Sequence, residues 1–222
     1  YSALGMWVEL RDVLAHRIEL EEDVRVRHDL TLRLGELYEK RLGERETAFD
    51  LYCKVLGEDD ERDEALGAVE AMVLDSSLQK RALDFLAPLY QGKSWWQRLA
   101  NLFERELSTK HTPSERIAVL NRIKEIYEQR LSDAQAAFET ACRIYSEDFY
   151  NTEVRQEMER LAVVTGGFER LVETYESFFD GASEDVELRI DLLLKIARIQ
   201  EEQLQNDRSA VNAYRRILEI DS

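Results

Sequence analysis

Three histidines, His16, His28 and His111, and two cysteines, Cys53 and Cys142, are the side chains here best suited to ligating a metal or attacking a substrate. Such chemistry needs groups that converge. The histidines share neither a spacing nor a place in any pattern. No His-Glu-x-x-His, Gly-rich phosphate loop or serine nucleophile elbow is present. They read as exposed helix histidines. The cysteines stand 89 residues apart at equivalent places of an internal repeat. Stacked helices should hold them well beyond the ~7 Å Cα separation that a disulfide allows. They read as reduced thiols in small sites between helices, which points to a reducing, cytoplasmic setting. Acidic pairs such as Glu201-Glu202 abound in a chain that is 34% charged, so pairing alone marks no acid–base site. The expectation is therefore of no catalytic residue, no metal and no cofactor.

The elements that carry these residues are set by the repeat. Leu37-Tyr38-Glu39-Lys40-Arg41-Leu42 matches Ile126-Tyr127-Glu128-Gln129-Arg130-Leu131 at an offset of 89. The same offset carries Trp7 onto Trp96, Leu10 onto Leu99, Ala48-Phe49 onto Ala137-Phe138 and Cys53 onto Cys142. A third copy, offset by 162, puts Leu42 on Leu204, Ala48 on Ala210, Tyr52 on Tyr214 and Leu56 on Leu218. Its first helix begins at Phe168, after a one-residue change of length. Copies at about 7–95, 96–167 and 168–222 thus make one repeat array over 1–222.

Within a copy the apolar residues recur at three- and four-residue spacing, as in Leu30, Leu34, Leu37, Tyr38 and Leu42. Only 2 prolines and 9 glycines punctuate the chain, too few for the tight turns of a β or α/β fold. The pattern predicts about twelve helices, at 5–20, 23–42, 45–57, 62–74, 77–91, 93–109, 113–131, 133–146, 150–164, 166–180, 184–204 and 206–219. Two of these fall between Leu56 and Trp96 but one between Tyr145 and Phe168, so an odd helix must be fitted. Either 62–91 forms a bend or two of the helices are one.

Leu34-Gly35, Tyr38, Ala48, Tyr52 and Leu56 resemble the tetratricopeptide pattern, in which a helix pair packs small residues against large ones. Ile123, Tyr127, Ala137, Ala141 and Ile144 carry it in the second copy, and Ile196-Ala197, Ala210, Tyr214 and Ile217 in the third. The turn is one residue longer than usual, and Asp60, Phe149 and Ser222 stand where the family has its closing proline. The resemblance implies an all-α, right-handed α-α superhelix of antiparallel helices. It also implies that the first helix of each pair lines a concave groove for a partner. By register those positions are Asp29, Leu32, Glu36, Glu39 and Lys40, then Ala118, Asn121, Glu125, Glu128 and Gln129, then Asp191, Leu194, Arg198, Glu201 and Glu202. The three first helices are expected side by side, with Leu32 and Leu194 as apolar anchors beneath an acidic face. A merely solvated face would carry similar residues. The groove lacks the Lys/Asn/Arg clamp that holds C-terminal carboxylates in chaperone-binding members.

Trp7, Trp96 and Phe168 head apolar stripes and read as core anchors. Trp95 points about 100° away from Trp96 and either packs on the next helix or stands as an exposed interface hot spot. A net charge of −16 disfavours nucleic acid, as no cluster of Lys and Arg with interleaved aromatics offsets it. No run approaches a membrane span, and no signal segment is visible from Tyr1. The expected function is a non-catalytic scaffold for a protein or peptide, basic by preference. A helical RNA-binding module and an all-helical enzyme are the alternatives.

Overall fold

The computed structural model describes residues 2–179 and 185–220. Tyr1, Ser222 and the expected helix ends at 180 and 184 lie outside them. Every described element is helical, and there are twelve: α1 (Ser2–Leu20), α2 (Val24–Leu37), α3 (Arg45–Glu58), α4 (Asp63–Ala71), α5 (Gln79–Gly92), α6 (Trp96–Leu107), α7 (Pro113–Glu125), α8 (Ala134–Glu147), α9 (Thr152–Thr165), α10 (Phe168–Phe179), α11 (Val186–Glu202) and α12 (Asp207–Ile220). They fall into two compact units, Tyr1–Thr109 with α1–α6 and Lys110–Ser222 with α7–α12. In each unit, helices pack chiefly on their neighbours in sequence.

Helix starts follow from side-chain caps. Asp23, Asp133, Asn151 and Asp185 each accept a backbone N–H of the first turn. Thr112 and Glu115 form a reciprocal capping box ahead of α7, with Pro113 at its first position. Each cap is worth about 1 kcal/mol.

The hairpins α2/α3, α7/α8 and α11/α12 close through one shared backbone device. The last turn of α2 widens into a π-helical turn, Tyr38–Leu42, and α7 does the same at Ile126–Arg130. At the end of α11 the Leu204 N–H likewise reaches back five residues, to the Ile199 carbonyl. The residue after this turn is left-handed in all three: Gly43 at φ 75°, Ser132 at 53° and Gln205 at 50°. The next N–H then closes the turn, from Glu44 to the Tyr38 carbonyl, Asp133 to Tyr127 and Asn206 to Gln200, at 3.0, 2.8 and 2.7 Å. The extra residue noted in the sequence is thus absorbed as a widened helical turn.

The small residues then let the hairpin close. A methyl at Gly35 would lie 2.6 Å from Cε1 of Tyr52, which is buried with its hydroxyl donating to Glu39 at 3.2 Å. The third copy keeps this arrangement, as Ala197 is buried and Tyr214 donates to Glu201 at 3.2 Å. In the second copy the sizes are exchanged, with Lys124 and Ala141 at the two places.

Alternate helices are joined by ion pairs. In the first unit Arg62 meets Asp29 of α2, Arg81 of α5 meets Asp50 of α3, and Arg98 of α6 meets Asp63 of α4. In the second, Lys124 of α7 meets Glu157 of α9, and Arg170 of α10 meets Glu139 of α8. Arg155 and Glu159 of α9 pair with Asp191 and Lys195 of α11, both at 2.7 Å. The odd helix is therefore real: α4 and α5 are separate, divided by a 3-10 turn at Met72–Leu74. A Tyr90 hydroxyl bond to Glu70 ties α5 to α4, and a Tyr175 bond to Glu159 ties α10 to α9. So α10, kin to α6 by sequence, bonds its neighbour as α5 does.

Two substitutions test these constraints by urea denaturation. Gly35→Ala is expected to destabilise by about 1–3 kcal/mol, since the buried Tyr52 ring cannot retreat. Ser132→Gly is expected to stabilise by about 0.5–1 kcal/mol by relieving the left-handed strain. A neutral Gly35→Ala or a destabilising Ser132→Gly would contradict this account.

Candidate functional site

The residues with intrinsic chemistry are mostly held inside the structure. His28 is buried, its Nε2 3.0 Å from Glu58, which corrects the expectation of an exposed side chain. The first turn of α2 meets the last turn of α3, so a residue there faces the hairpin. Hydrogen bonds from His28 and then Arg27 hold the Glu58 carboxyl below its usual range. His16 is exposed beside Glu19 at 3.8 Å, and His111 is exposed as well. Both thiols are free, Cys142 buried and Cys53 half-buried. Burial pushes Cys53 up to about 12 and Cys142 up to about 11, so neither is a thiolate at neutral pH. Among the described residues no group of His, Cys, Asp and Glu is placed to hold a metal.

The sequence-predicted groove residues distribute unevenly. Leu32 is buried in the core, while Leu194 is half-buried. Asp29 pairs with Arg62, Glu36 with Lys40 at 3.3 Å, and Glu39 accepts from Tyr52. Glu128 pairs with Arg160 of α9, Asp191 with Arg155, and Glu201 accepts from Tyr214. Ala118, Asn121, Glu125, Gln129, Arg198 and Glu202 are exposed. The register sets α7 and α11 side by side, but α9 intervenes and is ion-paired to both. It brings Arg155 and Arg160 among the carboxylates, so the face is one of mixed charge. Trp95 is half-buried, its ring 5.8 Å from that of Tyr90 and flanked by Lys93 and Arg98. It packs on the neighbouring helix.

Two shallow clefts at equivalent repeat positions emerge instead, one in each unit. The first, of about 360 Å³, lies between α1 and α2 and is lined by Trp7, Leu10, Arg33, Glu36, Leu37, Lys40 and Arg41, among others. The second, of about 240 Å³, lies among α9, α10 and α11, with Phe168, Leu171, Lys195, Arg198, Ile199, Glu202 and Gln203 on the corresponding repeat positions. Each lining residue of the second group is thus the counterpart of one in the first. Both have an aromatic head, a leucine, an aliphatic floor from Leu37 or Ile199, and a cation from Arg33 or Lys195. The i,i+4 charge pair is inverted, Glu36-Lys40 against Arg198-Glu202. In the second cleft Glu159 and the exposed Val163 complete the wall from α9. In the first, the Arg41 guanidinium stands 5.0 Å over the Trp7 ring.

Sites of this volume fall at or below the lower end for small-molecule pockets, and suit one or two side chains of a peptide. Sequence reasoning found Glu36, Lys40, Arg198 and Glu202 but missed Arg33, Lys195 and Val163. The exposed pair Val163-Val164 was a visible signal, because it breaks the amphipathic pattern of α9. No protein-family model matches the chain, and no curated protein matches it significantly. No helix among the described residues is long and apolar enough to cross a membrane.

The state of the thiols is testable. At pH 8, Cys53 and Cys142 are expected to react with an aromatic disulfide reagent about 100-fold more slowly in the folded chain than in urea. A fast-reacting thiol in the native protein would refute the buried, protonated state.

Proposed function

We propose that this chain is a protein-interaction scaffold of tetratricopeptide-like hairpins, whose clefts each receive apolar side chains of a partner protein. The carrying observation is that the two clefts are built from equivalent repeat positions. A recess that recurs with its floor and cation kept, while its outer charges change, fits a repeated reader of side chains. The ion pairs between alternate helices support the family reading. Their members stand 31 to 36 residues apart, around the roughly 34-residue repeat of that architecture. A superhelix built of such pairs follows from this reading.

The partner is a protein segment, helical or extended, with a large apolar side chain. The net charge of −16 favours basic residues outside the cleft, since it steers approach at long range. Within the first cleft Arg33 favours a carboxylate or carbonyl next to the anchor, whereas Lys195 of the second is already paired with Glu159. Many groove carboxylates already serve the protein's own helices, so charge reversal is informative only at exposed ones such as Glu125 and Glu202. Catalysis receives no support from the thiols, whose nucleophilic form burial suppresses.

Peptides selected against the chain from a randomised displayed library, then measured by calorimetry, test the reading. Leu10→Glu and Val163→Glu alter exposed cleft-lining residues and should leave the fold intact. Each is expected to weaken peptides seated in its own cleft at least tenfold, a loss of about 1.4 kcal/mol or more. Glu125→Lys with Glu202→Lys should flatten the salt dependence for basic peptides. Selected peptides indifferent to both cleft substitutions would overturn the proposal.

A further inference from the structure

The helix α12 presents an apolar face that its own repeat shows how to cover. Val211, Tyr214 and Leu218 lie along one side of it and are 47%, 38% and 71% exposed. Their counterparts in α3 are Phe49, Tyr52 and Leu56, at 4%, 2% and 2%, and in α8 Phe138, Ala141 and Tyr145, at 0%, 1% and 0%. In both cases the following helix packs against that helix, α4 on α3 and α9 on α8. The inner side of α12 is already engaged. Ala210 and Ala213 are buried, and Arg216 lies 4.3 Å over the Phe179 ring and 3.8 Å from Glu176 of α10.

We propose that the Val211–Tyr214–Leu218 face docks one amphipathic helix of a partner protein, laid on α12 as α4 lies on α3 and α9 on α8. This rests on the scaffold reading and names a second surface for it.

The two internal helices define the chemistry of the occupant. At equivalent places α4 and its 3-10 turn carry Val69, Met72 and Val73, and α9 carries Met158, Leu161 and Ala162, all fully buried or nearly so. The docked helix therefore presents aliphatic or small residues at i, i+3 and i+4, the stripe that a helical pair interdigitates. Arg160 of α9 pairs with Glu128, whose counterpart on α11 is the exposed Glu201, next to Glu202. A cation two residues beyond the first apolar position of the partner helix meets that acidic pair. Charge also decides against a second copy as occupant. Arg208 and Arg215 flank the stripe on α12, so two such faces would oppose like charges.

The test is an amide NMR titration of the chain with a synthetic peptide of its own α4 segment, residues 62–76, held helical by a staple on its outer face. Shifts confined to α11 and α12 are expected, with Leu218→Glu weakening the peptide at least tenfold and Val163→Glu leaving it unchanged. Leu218 is exposed, so this variant should retain the native helical spectrum. Shifts at α3, or no saturable shifts, would overturn the proposal. So would a dimer of the chain alone that Leu218→Glu abolishes, because a second copy would then be the occupant. Loss at α12 with cleft binding retained would refute this surface alone, and loss of cleft binding alone would refute the scaffold reading.

Discussion

Every hairpin that carries the repeat depends on how its first helix ends. A helix cannot turn back on itself without leaving carbonyls unsatisfied, and a reversal in the wrong direction would separate the two apolar stripes. Here a widened final turn spends the extra residue, and a left-handed residue points the chain back. The N–H at Glu44, Asp133 or Asn206 then closes the loop on a carbonyl six residues earlier. Gly43 occupies the left-handed place without strain, whereas Ser132 and Gln205 carry a side chain there. Holding two strained residues in that conformation costs about 1–2 kcal/mol each. The packing of Phe138, Ala141, Leu192 and Ile196 in the second unit's core offsets that cost.

Once the hairpins close, charge organises their stacking. A chain with 34% charged residues and a net charge of −16 would be expected to repel itself. Instead, many of its cations sit between carboxylates of alternate helices, as Arg160 does between Glu128 and Glu157. Hydrogen bonds from Arg160 and Lys124 hold the Glu157 carboxyl down to about 2. Its contribution to stability is whole above the ordinary carboxylate range and is lost as pH falls towards that value. Exposed pairs of this kind each add little, at most about 1 kcal/mol. Their repetition at similar sequence separation fixes which helix sides meet.

The clefts and the α12 face are products of the same repetition at two levels. Equivalent residues make equivalent recesses, so an aromatic head and an aliphatic floor recur in both units while the charge pair at the mouth is inverted. Positions that are core in α3 and α8 become surface in α12, and the apolar character persists although the cover differs. An exposed leucine alone signifies little. Three exposed apolar residues whose counterparts are buried twice in the same molecule carry much more weight.

How much of this was legible beforehand follows from what periodicity encodes. The twelve helices were readable, with described ends within three residues of the expected ones once the π-helical turns that close α2 and α7 are counted, because apolar spacing and polar caps are local properties. That Cys53 and Cys142 are free thiols was anticipated from the repeat alone. The surroundings of side chains did not. His28 looked like any polar helix residue, and only the closing of α2 on α3 placed it inside beside Glu58. The groove positions were drawn from the helices that carry the family pattern, and α9 carries none of it. Only packing could reveal that α9 stands between α7 and α11 and adds its arginines to the face. By itself the sequence determined the helices, their turns and their kinship, since these depend on residues within a few positions of one another. The tertiary structure decided which carboxylates are spent on neighbouring helices and which recesses stay open, because those depend on residues some thirty positions away.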